Sequence, residues 1–501
     1  MSFSSYVPHD VEVVSTGPEK YRPHYHYTAT KDWLSDPNGM VYFDGEFHLC
    51  YQHDDYQNVF GGMSWGHAVS SDLLHWRELP KAIEPDEKLG MCFSGCLVVD
   101  KNNTSGLGEN TLVGFYTSEL PKQQQSMFYS NDRGRTFTKY QHNPVIKNTE
   151  GMSKDFRDPK VMWYAPKSVW VMSVAGPERI EFWSSLNLID WQLESYFGEG
   201  KGAHGGEWEC PDLRYMPIDG DPDNRAWVLI VSVNPGGPNG GCGTQYFVGD
   251  FGEIDGNLAF ISQQNDVKWL DWGIDNYAGV SWSNLSDSQF NDRVFSIGWM
   301  NNWIYAYKSP TSQWRGVMTM IRELKLETFD HAVALTCRPA PIYDKLIGGE
   351  LPNVEKVQLN QPAKIGTSLS ASCVQIDLEV GESDNIGVEL SNTKNQVTRI
   401  GYRKSTGIFF VDRSNSGNED FAEGFAGLHS AKVKREYQSF NMEIYVDRCS
   451  VEVFFNNGQY AMSELIYPED PLSQIRVFAD GAATFSNLRI RKISKIKKVN
   501  E

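Results

Sequence analysis

Long apolar runs are missing from this sequence. No stretch of about 18 apolar residues occurs, which excludes a membrane-spanning helix. The first residues, MSFSSYVPHD, have neither a basic start nor an apolar centre, so no leader peptide is read there. The expectation is a cytoplasmic protein or a secreted one whose leader has been removed. Basic residues are in deficit, with 46 Lys and Arg against 64 Asp and Glu and a net charge of -18. That balance argues against nucleic acid and against an anionic membrane surface as partners, and suits a neutral small molecule. Cysteine is sparse, eight in 501 residues, so this is no disulfide scaffold. Cys92 and Cys96 stand as CxxxC without a His or Cys pair nearby, so neither a metal site nor a cofactor is expected. Helical periodicity is almost absent.

What remains is rich in aromatics, at 13% of the chain, and in short apolar or alternating runs. MVYFDGEFHLCYQ, TLVGFYTS, VMWYAPKSVWVMSVAG, AWVLIVSVNPGG and RVFSIGWM are separated by Gly, Pro, Asn and Asp. They read as strands joined by tight turns. Three segments share one plan: WGHAVSSDLLHWREL (65–79), MFYSNDRGRTFTKY (127–140) and IEFWSSLNLIDWQLE (180–194). Each has an apolar strand, a Ser, a polar turn, then an aromatic and an amphipathic strand. The anchor aromatics are Trp76, Phe137 and Trp191, spaced near one propeller blade. YFVGDFGEIDGNLAF (246–260) reads as a fainter fourth copy.

The pattern changes after about residue 340. No Trp follows Trp314. VQIDLEV, IGVEL, GIFFVDR, MEIYVDRCSVEVFF and QIRVFAD alternate with a period of two, as in a sandwich with one face buried. The expected architecture is all-β, a β-propeller over 20–335, a linker over 336–355 and a β-sandwich over 356–495. The terminal RKISKIKKVNE is basic and reads as a solvated end.

Three acids stand out, each beside a Pro or Cys-Pro at a strand end. Asp36 lies in WLSDPNG, where Pro37 favours an extended Asp36 and Pro-Asn-Gly reads as a tight turn. Asp158, in DFRDPKVMWY, shares the Asp-Pro geometry and leads into an apolar strand. Arg157 adjoins it but projects to the other face. Glu209, in GEWECPDL, has Trp208, Cys210 and Pro211 for neighbours, an apolar setting that raises a carboxyl pKa. Glu207 and Asp212 are its rivals for that role. Two carboxyl groups of opposed tendency are what glycosidic cleavage needs, one to protonate the leaving oxygen and one to attack the sugar carbon. Propeller strands converge on one funnel, so acids remote in sequence can meet there.

These motifs, in this order, resemble the invertase-type β-fructosidases of glycoside hydrolase family 32. WLSDPNG at 33–39, FRDPKV at 156–161 and WECPDL at 208–213 are similar to the family's three acid motifs. YQ at 51–52, WGHAVSSDLLHW at 65–76, FSG at 93–95 and YVDRCSVEVFFNNG at 445–458 match in order as well. The resemblance implies a five-bladed propeller and a sandwich, with Asp36 as nucleophile, Glu209 as acid/base, and Asp158 with Arg157 gripping fructose hydroxyls. It implies that Trp33, Leu34, Ser35, Gln52, Phe60, Phe93, Ser94, Tyr277 and Trp299 line the sugar pocket. The substrate would be sucrose or a related fructoside, cut with retention and without metal, and a homodimer through the sandwich is compatible.

Two positions depart from the family pattern. Ser35 replaces the usual Asn before the nucleophile, and Phe60 stands where many members have Trp. Both bear on the competition between water and sugar as acceptor. A fructosyltransferase, an inulin- or levan-directed enzyme, a non-catalytic sugar-binding propeller and an arabinoside-directed glycosidase are the alternatives.

Overall fold

A computed structural model describes residues 20–149, 152–285, 290, 292–350, 354–358, 364–366 and 368–496. Nearly every element is a strand. The first sheet runs antiparallel through Asp32–Phe43, Glu46–Asp54, Ser64–Ser70 and Arg77–Ile83. The second takes Cys92–Asp100, Thr111–Ser118, Gln124–Ser130 and Thr138–Lys139, and the third Arg157–Tyr164, Val169–Gly176, Arg179–Ser185 and Gln192–Phe197. A larger sheet joins Glu207–Ile218, Asp221–Asn234, Gly243–Ile254 and Asn257–Ile261 to Arg322–Phe329, Val294–Trp299 and Tyr277–Ser281.

The strands Asp32–Phe43, Cys92–Asp100, Arg157–Tyr164, Glu207–Ile218 and Tyr277–Ser281 touch one another in that order, and the last returns to the first. They are the inner wall of a β-propeller. The ring is closed by a short parallel pairing of Asp32 and Trp33 with Trp314 and Arg315. Neighbouring sheets pack face to face through apolar layers. Val41, Cys50 and Trp65 of the first meet Leu97, Leu112 and Phe128 of the second. Phe115 and Met127 meet Val161 and Met172 of the third, and Ile180 and Phe182 meet Leu229 and Phe247 of the fourth.

The sequence repeat has a physical cause. In each copy a Ser hydroxyl and an Asx side chain build the turn after the third strand of the sheet. Asp72 Oδ1 accepts from the amides of Leu74 and His75 at 2.9 and 2.8 Å, and Asn187 Oδ1 from Ile189 and Asp190 at 3.0 and 2.8 Å. Asp132 Oδ1 does the same for Arg135 and Thr136. The residue after each Asx is left-handed: Leu73, Arg133 and Leu188 have φ of 65°, 62° and 64°. The indoles of Trp76 and Trp191 then donate to the carbonyls of Leu73 and Leu188. The segment 246–260 holds the corresponding place in the larger sheet, its third and fourth strands in chain order, as the fainter fourth copy. It is a hairpin turned by Asp255 and Gly256, with φ of 51° and 85°, and has no Asx turn of that kind.

Past residue 340 two sheets face each other. One contains Ser372–Glu379, Ser439–Val446, Ser450–Phe455, Tyr460–Leu465 and Thr484–Ile493; the other contains Asn385–Ser391, Val397–Arg403, Ile408–Asn415, Leu428–Lys432 and Gln474–Ala479. Their inner residues, among them Val388, Phe409, Ile444 and Phe455, form one apolar core. Ile347–Glu350, within the expected linker, and Val354–Gln358, which straddles its end at 355, pair with Thr484–Ile493 and so extend the sandwich sheet. The start of the basic terminal run is likewise structured: Arg491, Lys492 and Ile493 lie in that pairing, and the Ile496 amide donates to the His24 carbonyl. Residues 497–501 lie outside the described residues.

The two domains share a buried polar seam. Gly273 approaches Ser463 so closely that a Cβ on it would lie 2.2 Å from the Ser463 nitrogen. Trp272 and Asp275 donate backbone hydrogen bonds to Ala461 and Ser463. Asp271 receives Arg322 at 2.6 Å, and the same guanidinium reaches Glu452 at 2.5 Å. His26 bridges Asp447 and Glu452 at 2.8 and 2.7 Å. Asp275 receives Arg413 at 2.6 Å, and Arg413 also donates to the Tyr305 hydroxyl at 2.9 Å. All these side chains are buried. Removing one partner strands an opposite charge in a low dielectric. Arg322→Met is therefore expected to cost about 3–5 kcal/mol, read as a lower urea midpoint by tryptophan fluorescence; an unchanged midpoint would contradict this account of the seam.

Candidate active site

The three acid motifs all interrupt the strand ladder. Pairing between Asp32–Phe43 and Glu46–Asp54 skips from Leu34 to Pro37, so Ser35 and Asp36 lie in a bulge. Pairing of Glu207–Ile218 skips from Glu209 to Asp212, and the pairing of Arg157–Tyr164 is irregular opposite Ser173 and Ala175. Proline has no N–H for the ladder, and a bulge re-aims the side chain beside it. The strands carrying Ser94 and Tyr277 are bulged at the same end. Every inner strand is thus irregular where it enters the pocket.

Two local expectations are corrected here. Pro-Asn-Gly at 37–39 is not a tight turn but the continuation of the strand. Asn38 pairs with Cys50, and Gly39, at φ 52°, lies in a second register break with Trp65 packed 3.0 Å from where a Cβ would be. Asp158 is not extended but left-handed, at φ 66°. Its amide donates to Thr117 Oγ1 at 3.0 Å and its carboxylate accepts from the Cys210 amide at 3.0 Å. These bonds hold a conformation that Asp tolerates better than most residues.

Asp36, Asp158 and Glu209 converge closely enough that the charge of Asp158 acts on both others and that of Asp36 acts on Glu209. Asp36 Oδ2 accepts from Ser94 Oγ at 2.8 Å, and its Oδ1 has no hydrogen-bond partner among the described residues. Burial, and then the charge of Asp158, push the Asp36 carboxyl up to about 6. Burial also raises Asp158, against the pull of Arg157. Glu209 is pushed up to about 8, first by burial; Arg157 opposes this, and the charges of Asp158 and Asp36 add to it. Arg157 Nε donates to Glu209 Oε1 at 2.9 Å, and its other nitrogens meet Asp155 at 2.9 Å, Gln123 at 3.2 Å and Glu207. Tyr277 donates its hydroxyl to Glu209 Oε2. The pocket can therefore hold one carboxyl ionised and another protonated near neutral pH, the pairing that acid-assisted displacement requires.

The rivals of Glu209 separate clearly. Glu207 is more exposed and ties down Arg157. Asp212 is wholly buried, and its carboxyl is held below the ordinary range by Arg214 and Lys160 despite burial. It braces the strands from behind the pocket.

The aromatic wall is larger than the motifs indicate. Trp33 is buried, donates to Ser35 Oγ at 3.1 Å, and stacks on Trp303 and Tyr307 with centroids 5.9 and 5.5 Å apart. Trp299 lies 4.8 Å from Trp303, with its indole nitrogen unpartnered among the described residues. Phe60 bridges Phe93 at 6.1 Å and Trp303 at 5.9 Å. Leu34 is buried behind this wall. Gln52 donates to the Cys92 carbonyl at 3.0 Å and leaves its own oxygen unpartnered, as Asn38 leaves its nitrogen while accepting from Gly95 at 3.2 Å. Trp303, Tyr307, Asn38 and Gln123 were not singled out in the sequence. The NNW that follows Trp299 was the available signal for Trp303. Among the described residues no group of three or more His, Cys, Asp or Glu side chains could hold a metal ion.

Known proteins match this chain over nearly its whole length. The models for the glycosyl hydrolases family 32 N-terminal domain and C terminal match residues 26–339 and 345–492. A levanase of Bacillus subtilis (strain 168) is 42% identical over 489 residues, which span 95% of this chain and 71% of that protein. The crystal structure of an exo-inulinase from Aspergillus awamori aligns with a TM-score of 0.86 at 32% identity, covering 95% of this chain and 99% of that one. A β-fructofuranosidase from Schwanniomyces occidentalis, solved with fructosyl-erythritol, aligns with a TM-score of 0.84 at 29% identity over 97% of this chain and 100% of that one.

The electrostatics of the pocket can be measured directly. The charge of Asp158 raises both Asp36 and Glu209. Neutral Asp158→Asn is therefore expected to lower both pKa values, read by carbon NMR titration of the labelled carboxyl groups. A rise in either, or no change, would contradict the shared-pocket electrostatics.

Proposed function

The chain belongs to glycosyl hydrolase family 32 and is a glycosidase of the fructosidase kind, and within that family we propose that it removes the terminal β-fructofuranosyl unit of sucrose and fructans with retained configuration. The observation that carries this reading is the pair Asp36 and Glu209, two half-buried carboxyls close enough to interact, one pushed up to about 6 and the other to about 8. Above pH 6 Asp36 is ionised and can attack C2 of the fructosyl unit. Below pH 8 Glu209 is protonated and can pass its proton to the departing oxygen. A fructosyl ester on Asp36 results. Glu209, now a base, takes a proton from water as that water attacks C2, and fructose leaves with its configuration retained.

Asp158 and Arg157 support this chemistry in different ways. The Asp158 carboxylate, fixed by the Cys210 amide, is poised to accept from sugar hydroxyls and to favour positive charge developing at C2. Arg157 is already committed to Glu209, Glu207 and Asp155. Its part is to hold the acid/base in place and limit how far burial raises it. Trp303, half-buried, supplies the flat face that a furanose ring meets on entry, with the buried Trp33 and Trp299 packed behind it, and Phe60 lies where the leaving group or acceptor would sit.

Fructan has a stronger claim than sucrose as the preferred substrate. Relatives of this chain carry the names levanase and exo-inulinase, with identities of 42% and 35% for one protein of each name. Transfer to sugar remains the competing outcome of the same intermediate. Ser35 Oγ is engaged by Trp33, so the residue that departs from the family pattern fixes the aromatic wall.

The test is a product analysis of sucrose, inulin and levan over a range of concentrations. Fructose as the first product of all three supports exo-hydrolysis, whereas new oligosaccharides from concentrated sucrose would mark a transferase. Asp36→Ala and Glu209→Ala are each expected to lower kcat on natural substrates by about 10³-fold or more in folded protein. The kcat/KM profile should fall as pH drops through about 6 and as it rises through about 8, in keeping with the two carboxyls. Near-normal turnover by folded Asp36→Ala would overturn the assignment.

A further inference from the structure

The inner strands that deliver the acids to the pocket run on to the opposite end of the propeller, where they line a second concavity. Cys92–Asp100, Arg157–Tyr164 and Glu207–Ile218 contribute Val98–Asp100, Val161–Trp163 and Leu213–Tyr215 to a cavity of about 600 Å³. Five residues separate Asp158 from Trp163, so at strand spacing the cavity lies roughly 17 Å below the acids.

The axis is closed between the two. Lys160 Nζ donates to the Ser281 carbonyl at 2.6 Å, Asp212 accepts from the Ser281 amide at 2.7 Å, and Arg214 Nε donates to Ser281 Oγ at 2.6 Å. Lys160 and Asp212 are buried. The far cavity is therefore not an exit from the pocket but a separate site.

Its lining has a definite chemistry. Trp163 and Tyr215 are 39% and 49% exposed, so both rings can be reached from solvent at this mouth. Each is backed by a second ring, Trp170 at 5.1 Å and Trp227 at 4.9 Å, and the Arg225 guanidinium lies 4.7 Å from the Tyr215 ring centre, which together fix their orientations. The ionic groups around them balance in sign: Arg214 pairs with Asp212 at 3.0 Å, Asp292 with Arg225 at 2.7 Å and Arg293 with Glu323 at 3.4 Å, and the remaining two lining charges, Asp100 and Lys101, are of opposite sign. With its charges balanced, the cavity selects no ion. Rigid flat rings beside neutralised polar groups suit a neutral molecule that has both apolar faces and many hydroxyls. The volume lies in the usual range for small ligands and admits a short sugar segment.

We infer that this far mouth is a second, non-catalytic binding site for a neutral fructan segment. The inference rests on the fructosidase reading of the catalytic pocket for the identity of the sugar, though not for the existence of the site. An enzyme that trims chain ends gains when another stretch of the same polymer is held close, because the end then presents itself at a raised effective concentration. The two sites open on opposite ends of the propeller. Only a chain long enough to pass around the outside can occupy both, so sucrose and short oligosaccharides gain nothing.

The test compares wild type with Trp163→Ala, Tyr215→Ala and the double variant, each checked by melting temperature. In gels cast with levan or inulin, migration of wild type should be retarded and that of the double variant should not. KM on levan polymer should rise about tenfold in the double variant, the loss of one modest contact pair, while kcat/KM on sucrose stays within about twofold. If Trp163→Ala proves unstable, Tyr215→Ala alone must still raise the polymer KM. Unchanged retardation and unchanged polymer KM would overturn the proposal. Retardation by another neutral polysaccharide but not by levan or inulin would overturn the fructan assignment. Failure of the chain to cleave any fructoside would instead refute the catalytic reading, and the gels would still score this site.

Discussion

The pocket depends on one guanidinium among crowded, largely desolvated carboxyls. Asp158 is buried, Asp36 and Glu209 are half-buried, and each raises or is raised by another. Unopposed, such a cluster would take up protons and lose its asymmetry. Arg157 reaches Glu209 and Glu207 directly and acts on Asp158 and Asp36 at longer range. Its own charge is stabilised by those same acids, against the cost of burial. The outcome is a graded set, with Glu209 above Asp36, and not three equivalent acids.

Backbone geometry makes that crowding sustainable. A regular strand alternates its side chains between faces, so it cannot turn a chosen carboxyl, its neighbour and a backbone amide to one point. The bulges at 34–37, 92–95, 209–212 and 277–280 release that rule at the pocket end of the inner strands. A few residues further on, the same strands are regular and apolar, as in Val161 and Leu97. The rigid part of each strand holds the irregular part in register.

Much of this was legible in the residues. The Ser-Asx turns repeat because one hydrogen-bonding device closes successive sheets, and that device leaves a sequence trace in Ser70–Asp72, Ser130–Asp132 and Ser185–Asn187. The acid-Pro pairs were visible for the same kind of reason, since a missing N–H is written in the sequence. The conformations around them were not. Asp158 is left-handed because Thr117 and Cys210, far off along the chain, bind it, and Pro-Asn-Gly stays in strand because Trp65 packs over Gly39. The stacked wall of Trp303 and Tyr307 was missed because an aromatic in a loop reads the same whether it meets core or solvent. The sandwich strands were plain from their alternation. Its seam with the propeller was not, because Arg322, Arg413 and Asp271 are ordinary charged residues until a partner from the other domain buries them.

Gly273 and Ser463 touch at the backbone, which constrains how such chains can vary. Residues 271–275 and 460–465 behave as one unit of inheritance although nearly two hundred positions apart. A crossover between two related genes that fell between these stretches would join halves with mismatched contours. Exchange of whole sandwiches among fructosidases should therefore succeed mainly where both stretches travel with the parent that shaped them.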